Sequence, residues 1–234
     1  IGVDHVGPLV PGDQGYCVAM TDARAERTFV STRGAETRGP LDAFNHLEVR
    51  GDDVVYISGY SLADEASRVA LERLVGRLAQ DRVGCRALFD VSPMVGSVPL
   101  PALERIGELE PIWSLNERES GLLAARLGSA VEAGDHASTC EALSGLLGTV
   151  LVRAGERGSW FADGGSATRT PSIPVTPVDT NGAGDAHSGV LAAALARGTD
   201  LATALRWANI AGALTTTHFG PATCPSEAEI RALA

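Results

Sequence analysis

From about residue 50 onward, short apolar runs alternate with amphipathic segments, and this alternation does most to limit the folds open to the chain. Asp53–Ser58 (DVVYIS) reads as a buried strand. Ala63–Ala79 follows with Leu71, Leu74, Val75 and Leu78 at the i, i+3, i+4, i+7 spacing of one helical face. Strands are then predicted at Arg86–Asp90, Pro111–Leu115 and Thr149–Arg153, with helices at Pro101–Glu108, Glu117–Leu127 and His136–Leu147 between them. A second β-rich patch, Ser159–Ala162 and Thr168–Ile173, precedes two final helices near Ala186–Arg197 and Leu201–Thr215. Strands separated by amphipathic helices predict an α/β fold, a doubly wound, mostly parallel sheet with helices on both faces.

The first stretch has a different pattern. Gly15–Met20 and Arg27–Ser31 are β-prone runs around the polar Thr21–Glu26, the pattern of a hairpin. The expected organisation is a small β lid segment over residues 1–35 and an α/β core over residues 36–234. In open parallel sheets, ligands bind beyond the carboxyl ends of the strands. Ser58-Gly59, Asp90-Val91-Ser92, Asn116 to Glu119 and Gly155 to Gly158 all follow proposed strands, so the fold would bring them to one edge.

Composition removes several function classes. The net charge is −10, which disfavours nucleic acid and anionic membrane surfaces as partners. Every basic residue is arginine, so a P-loop lysine, a Schiff base and a lysine general base are all excluded. Cys17, Cys85, Cys140 and Cys224 lie far apart without a C-x-x-C pair, which favours reduced thiols in a cytoplasmic protein.

The chemistry concentrates in Val178-Asp179-Thr180-Asn181-Gly182-Ala183-Gly184-Asp185, followed at once by a helical run. Glycines around an alanine let backbone amides approach a ligand closely, and the helix start adds unpaired N–H groups and a positive dipole end. Together they suit a phosphate. Asp185 would repel that phosphate unless it serves to take a proton from an attacking hydroxyl. Two other readings stand beside this one. Asp185 is also a favoured N-cap residue, with Gly-Ala-Gly a mere turn before it. A dinucleotide loop would need a third glycine where His187 stands.

The octet and its helix resemble the C-terminal signature of the ribokinase (PfkB-type) family of carbohydrate and nucleoside kinases. Asn116-Glu117-Arg118-Glu119 is similar to that family's N-x-x-E element, and Gly155-Glu156-Arg157-Gly158 to its G-x-x-G nucleotide loop. Arg27-Thr28-Phe29 through Gly34-Ala35 resembles the lid strand and its exit, and Thr217 to Pro225 the loop over the adenine. The resemblance implies a ribokinase-like fold and ATP-dependent phosphorylation of a sugar or nucleoside hydroxyl, with Mg²⁺. Asp185 would be the general base, and the amides of Gly182, Ala183 and Gly184 the anion hole. Glu119 with Asn116 would position Mg²⁺ through its waters; Gly155 and Gly158 would admit the nucleotide; Asn209 and Gly220 would line the adenine side. By spacing alone, Asn116 and Glu119 also form a helix capping box, and the two roles are compatible. Homodimerisation through the lids is implied as well. A monovalent-cation site near Asp179 and Asn181 occurs in some relatives, and the residues themselves do not argue for it.

Several positions depart from the pattern. Val190 replaces a small residue, His187 an aromatic or aliphatic one, and Arg153 a threonine just before the nucleotide loop. Arg153 could pair with a phosphate or be a solvated strand end, and His187 is expected to be packed or solvated rather than a ligand group. The arginine that relatives often carry after the strand corresponding to RALFD is missing, and Asp90 reads as a turn residue only. The Gly-Gly strand exit and G-x-x-G-x-D-x-x-G loop that open the family are not found, so the sequence is expected to omit an N-terminal part. The alternative function is a nucleotide- or sugar-binding protein of the same fold without turnover.

Overall fold

The computed structural model describes residues 10–21, 27–132 and 134–234. β1 (Cys17–Thr21) and β2 (Arg27–Ser31) pair antiparallel, Cys17 opposite Ser31, as a two-stranded ribbon apart from the main sheet. The expected hairpin is therefore present, and the turn joining its strands lies outside the described residues. Below the ribbon, Glu36 accepts hydrogen bonds from the amides of Gly15 (2.7 Å) and Gly34 (2.8 Å), which ties its two ends together.

The main sheet contains β3 (Val54–Ser58), β4 (Arg86–Asp90), β5 (Ile112–Asn116), β6 (Thr149–Arg153), β7 (Ser159–Asp163) and β8 (Thr168–Thr170), side by side in that order. β3 to β6 run parallel, and β7 and β8 return antiparallel. Successive residues of each strand face opposite sides. Phe89, Trp113, Leu115, Val150 and Val152 enter one core, while Leu88 and Leu151 enter another. The first core is closed by α1 (Glu65–Gln80), α2 (Leu100–Gly107), α3 (Glu117–Arg126) and α4 (His136–Leu147). α5 (Ala183–Ala196) and α6 (Leu201–Thr215) cover the other face through Leu191, Leu195, Leu205 and Ala208. The sheet is thus mostly parallel with helices on both faces, as the alternation predicts. Phe89 and Trp113 meet edge to face, centroids 5.1 Å apart, a contact worth about 1 kcal/mol beyond the area it buries.

Helix starts follow local chemistry. Asn116 caps α3 and Glu119 reaches back to the Asn116 amide, the reciprocal box its spacing predicts. Asp135 caps α4 and Asp200 caps α6, each accepting from an amide three residues on. Three boundaries differ from the sequence reading. α5 begins at Ala183, not near 186. The second run of the β-rich patch, expected over Thr168–Ile173, pairs only at 168–170, because Pro171, Pro174 and Pro177 have no amide to offer a ladder. A seventh helix, α7 (Glu227–Leu233), closes the chain, with Ser226 and Glu229 as its own capping box and Ile230 buried beside Ile210.

Candidate active site

The parallel strands end together at one edge. Ser58 is in register with Asp90, Asp90 with Ser114, and Asn116 with Arg153. Segments that are remote in sequence therefore meet there, and a cavity of about 790 Å³ opens beside them. Asn116, Gly155, Ala183, Gly184 and Asn209 line it, five of the positions expected from sequence. Segment 172–177 and Arg153, Arg157 and Arg169 complete much of its wall. That volume is in the range of small-molecule and cofactor sites.

Gly182 turns the chain into α5 with φ +78°, and a Cβ there would collide with the Pro221 carbonyl oxygen. Only glycine fits both demands. Gly182 is therefore the N-cap, and Asp185 is the third residue of the helix, which removes the reading of Asp185 as the cap. No side chain caps α5. Among the described residues the amides of Gly184 and Asp185 find no acceptor, while that of Ala183 reaches the Thr180 carbonyl only at 3.5 Å. A helix start with bare amides suits an anion. Asp185 is exposed, directly follows the cavity-lining Gly184, and has no hydrogen-bond or ion-pair partner among the described residues.

Asp90, Glu119 and Asp185 share one neighbourhood, and two tyrosines register their charge. Tyr56 is pushed up to about 12 by partial burial and then by Asp90 and Asp185. Tyr60 is raised by burial and then by Glu119, Asp185 and Asp90. The Glu119 carboxyl is also raised, chiefly by burial, although the Asn116 amide and Arg153 both favour its charged form. Among the described residues no group of three or more His, Cys, Asp or Glu side chains is placed to hold a metal ion directly.

The positions that departed from the family pattern have defined places. Arg153 is not a solvated strand end: it borders the cavity and lies against Asp90, Nη2 to Oδ1 3.1 Å. Two departures thus meet, the arginine absent after β4 being matched by one at the end of β6. His187 is packed, 5% exposed, with Nε2 3.1 Å from Asn209 Oδ1. Asn209 donates its amide hydrogens to the carbonyls of Thr170 (2.9 Å) and Pro171 (3.3 Å), so its oxygen is the acceptor and His187 carries its proton on Nε2. Val190 packs beside Ile173, Trp207 and Leu214 behind the helix start.

Five expected positions are not part of the cavity lining: Gly182 and Asp185, which flank the lining pair Ala183–Gly184 in sequence, and Gly158, Gly220 and Glu119. Gly158 has φ +87° and lies where a Cβ would strike the Thr170 carbonyl, so it permits close approach of β8. The Gly220 amide donates to Asp179 Oδ2 at 3.0 Å, which fastens the following loop to the glycine turn. Glu119 sits behind Asn116. Sequence reasoning missed Ser188, whose hydroxyl donates to Asp90 Oδ2 at 2.8 Å, and the cavity-lining segment 172–177. The available signals were a polar residue on an apolar helix and three prolines that hold a segment extended.

Comparison with known proteins agrees with this geometry. Residues 2–228 match the profile described as pfkB family carbohydrate kinase. The uncharacterized sugar kinase YegV of Escherichia coli (strain K12) is 29% identical over 219 residues, 94% of this chain and 66% of that protein. Ribokinase of Bacillus subtilis (strain 168) is 36% identical over 105 residues, 45% of this chain and 32% of that protein. The chain thus spans less than two thirds of the length of these curated relatives. The crystal structure of fructokinase from Vibrio cholerae O395 superposes with a TM-score of 0.75 at 22% identity, covering 96% of this chain and 74% of that one. Profile and fold, together with a bare helix start beside a carboxylate, place this chain in the pfkB family of carbohydrate kinases.

Proposed function

We propose that the protein transfers the terminal phosphoryl group of ATP to a hydroxyl, best sought as a hydroxymethyl group, of a sugar or nucleoside. The observation that carries this is the uncapped start of α5, whose Gly184, next to the exposed Asp185, lines a cavity of about 790 Å³. Phosphoryl transfer asks little covalent chemistry of a protein; it asks for positioning and for charge to be met. The amides of Ala183 and Gly184 line the cavity and would meet the developing charge. Asp185, exposed and unpaired among the described residues, would accept the proton of the acceptor hydroxyl. The fructokinase of V. cholerae was crystallised with fructose, ADP and calcium ion, which supports a sugar, a nucleotide and a divalent cation as ligands here.

The residues present fit a hydrated Mg²⁺ better than a fully protein-bound one. No direct cluster of ligands exists among the described residues, and Mg²⁺ keeps waters and phosphate oxygens in its shell. Glu119 and Asn116 would hold it through those waters, where it would neutralise phosphate charge. Gly155 borders the cavity proposed for the nucleotide, and Asn209, itself lining it, holds the carbonyls of Thr170 and Pro171 between the lining residues Arg169 and Ser172. Gly158 and Gly220 would act indirectly, by the loop packing they permit.

Three further readings belong here. The four free cysteines suit a reducing cytoplasm. Among the described residues no helix is long and apolar enough to cross a membrane. Val18, Met20, Phe29 and Val30 are exposed on the ribbon and suit pairing of two lids in a homodimer.

The test is ADP production across pentoses, hexoses, sugar acids and nucleosides, with Asp185→Asn beside wild type. At least one acceptor is expected to be turned over, and the variant to lose about 10²–10⁴ in kcat. Nucleotide binding without turnover of any acceptor would favour the binding-protein alternative. An Asn variant as fast as wild type would remove Asp185 from the base role.

A further inference from the structure

One buried cation has no part in the steps above. The Arg153 side chain is 12% exposed and lies between Asp90 (14%) and Glu119 (4%), its Nη2 3.1 Å from Asp90 Oδ1 and 3.6 Å from Glu119 Oε2. Its Nη1 donates to the Gly184 carbonyl and to Ser188 Oγ, both at 3.3 Å. Ser188 in turn donates to the second Asp90 oxygen at 2.8 Å. A closed set of polar contacts thus links the ends of β4 and β6, the start of α3 and the first turn of α5.

The geometry of the peptide unit gives this set its consequence. The Gly184 carbonyl and the Asp185 amide belong to one planar group, with C=O and N–H directed oppositely. Holding the oxygen on Arg153 therefore fixes the direction of the Asp185 N–H and the placement of the Asp185 Cα. An uncapped first turn is otherwise the part of a helix that frays most readily. A guanidinium suits this task because its rigid fork serves several acceptors at once, whereas an ammonium is a point charge. Its burial is tolerated because two carboxylates accompany it.

We propose that Arg153 is a positioning residue for phosphoryl transfer, holding the Gly184–Asp185 peptide so that amide and carboxylate face the reacting groups. The proposal rests on the kinase reading for its kinetic consequence, while its structural half can be measured without turnover.

The experiment compares the full-length chain carrying Arg153→Lys, Arg153→Met and the double change Arg153→Met with Asp90→Asn. The double variant leaves no unpaired buried carboxylate at Asp90 should Arg153→Met alone fail to fold. Amide hydrogen exchange at Ala186, the first amide of α5 held by a carbonyl at 2.9 Å, is expected to quicken about tenfold or more, with α6 unchanged as internal control. In steady state, kcat is expected to fall about 10²-fold, as for a small misplacement of reacting groups. Nucleotide and acceptor KM should stay within about threefold, since an interaction felt only in the transition state is lost. Arg153→Lys should share the loss, because its charge remains and its fork does not. Unaltered exchange in a folded variant would overturn the proposal. So would an unchanged kcat in an active enzyme, or a loss confined to nucleotide KM, the mark of a direct phosphate ligand. A wild type inactive on every acceptor would sink the kinase reading alone, and the exchange result would still decide whether Arg153 holds the helix start.

Discussion

His187 shows how the surroundings of one residue set its chemistry. Burial and then the charge of Arg153 lower its pKa from 6.5 to about 3, against the opposing pull of its bond to Asn209. Between those values the unfolded chain binds a proton that the folded one refuses, so stability falls as the pH drops through that window. Urea unfolding at pH 6.5 and pH 4 is expected to show about 3 kcal/mol of such loss in wild type. His187→Gln keeps a donor for Asn209 and should lack that loss. Glu119, raised by burial, works in the opposite sense in both proteins and cancels from the comparison. Equal acid sensitivity of the two would mean that the ring is not held neutral.

At the scale of elements, glycines that look alike in sequence do opposite work. Gly182→Ala must take a left-handed φ and push Pro221 away, and is expected to cost at least about 2 kcal/mol in chemical denaturation. Gly189, inside α5 with open space where a Cβ would sit, should gain up to about 1 kcal/mol on conversion to Ala. Equal effects at the two positions would contradict this account. The same contrast explains what the sequence could reveal. Strands and long helices were legible because alternation and the helical period survive without tertiary context, as in β4, β6 and α1. The start of α5 was read too late because glycine argues against helix, and only the packed Pro221 explains why Gly182 is the cap. α7 was missed because seven residues with one buried anchor, Ile230, carry no period. The Gly-Ala-Gly-Asp stretch stood out through its chemistry. The link from Arg153 to Asp90 did not, since its partners lie 63 residues apart and meet only through strand register.

Across the whole molecule, the proposed nucleotide would be a polyanion entering an acidic chain. Arg153, Arg157 and Arg169 border the cavity; Arg153 is matched by Asp90 and Glu119 and Arg157 by Glu117, which leaves Arg169, stacked on Trp160, as the cavity arginine with no carboxylate partner among the described residues. A non-hydrolysable ATP analogue with Mg²⁺ at about 100 times its Kd should stabilise the fold by about 2.7 kcal/mol, or roughly 5–10 °C in Tm for a chain of this size. No shift at saturating analogue would mean that the cavity does not take nucleotide.

The order of strands carries one more implication. The parallel strands are joined through helices, while β6, β7 and β8 follow one another as a meander. The cavity draws Asn116 from the first region, Arg169 from the second and Ala183 from the helix beyond both. A nascent chain still on the ribosome therefore has no pocket until the last of these segments has emerged, and ligand capture reports completed assembly.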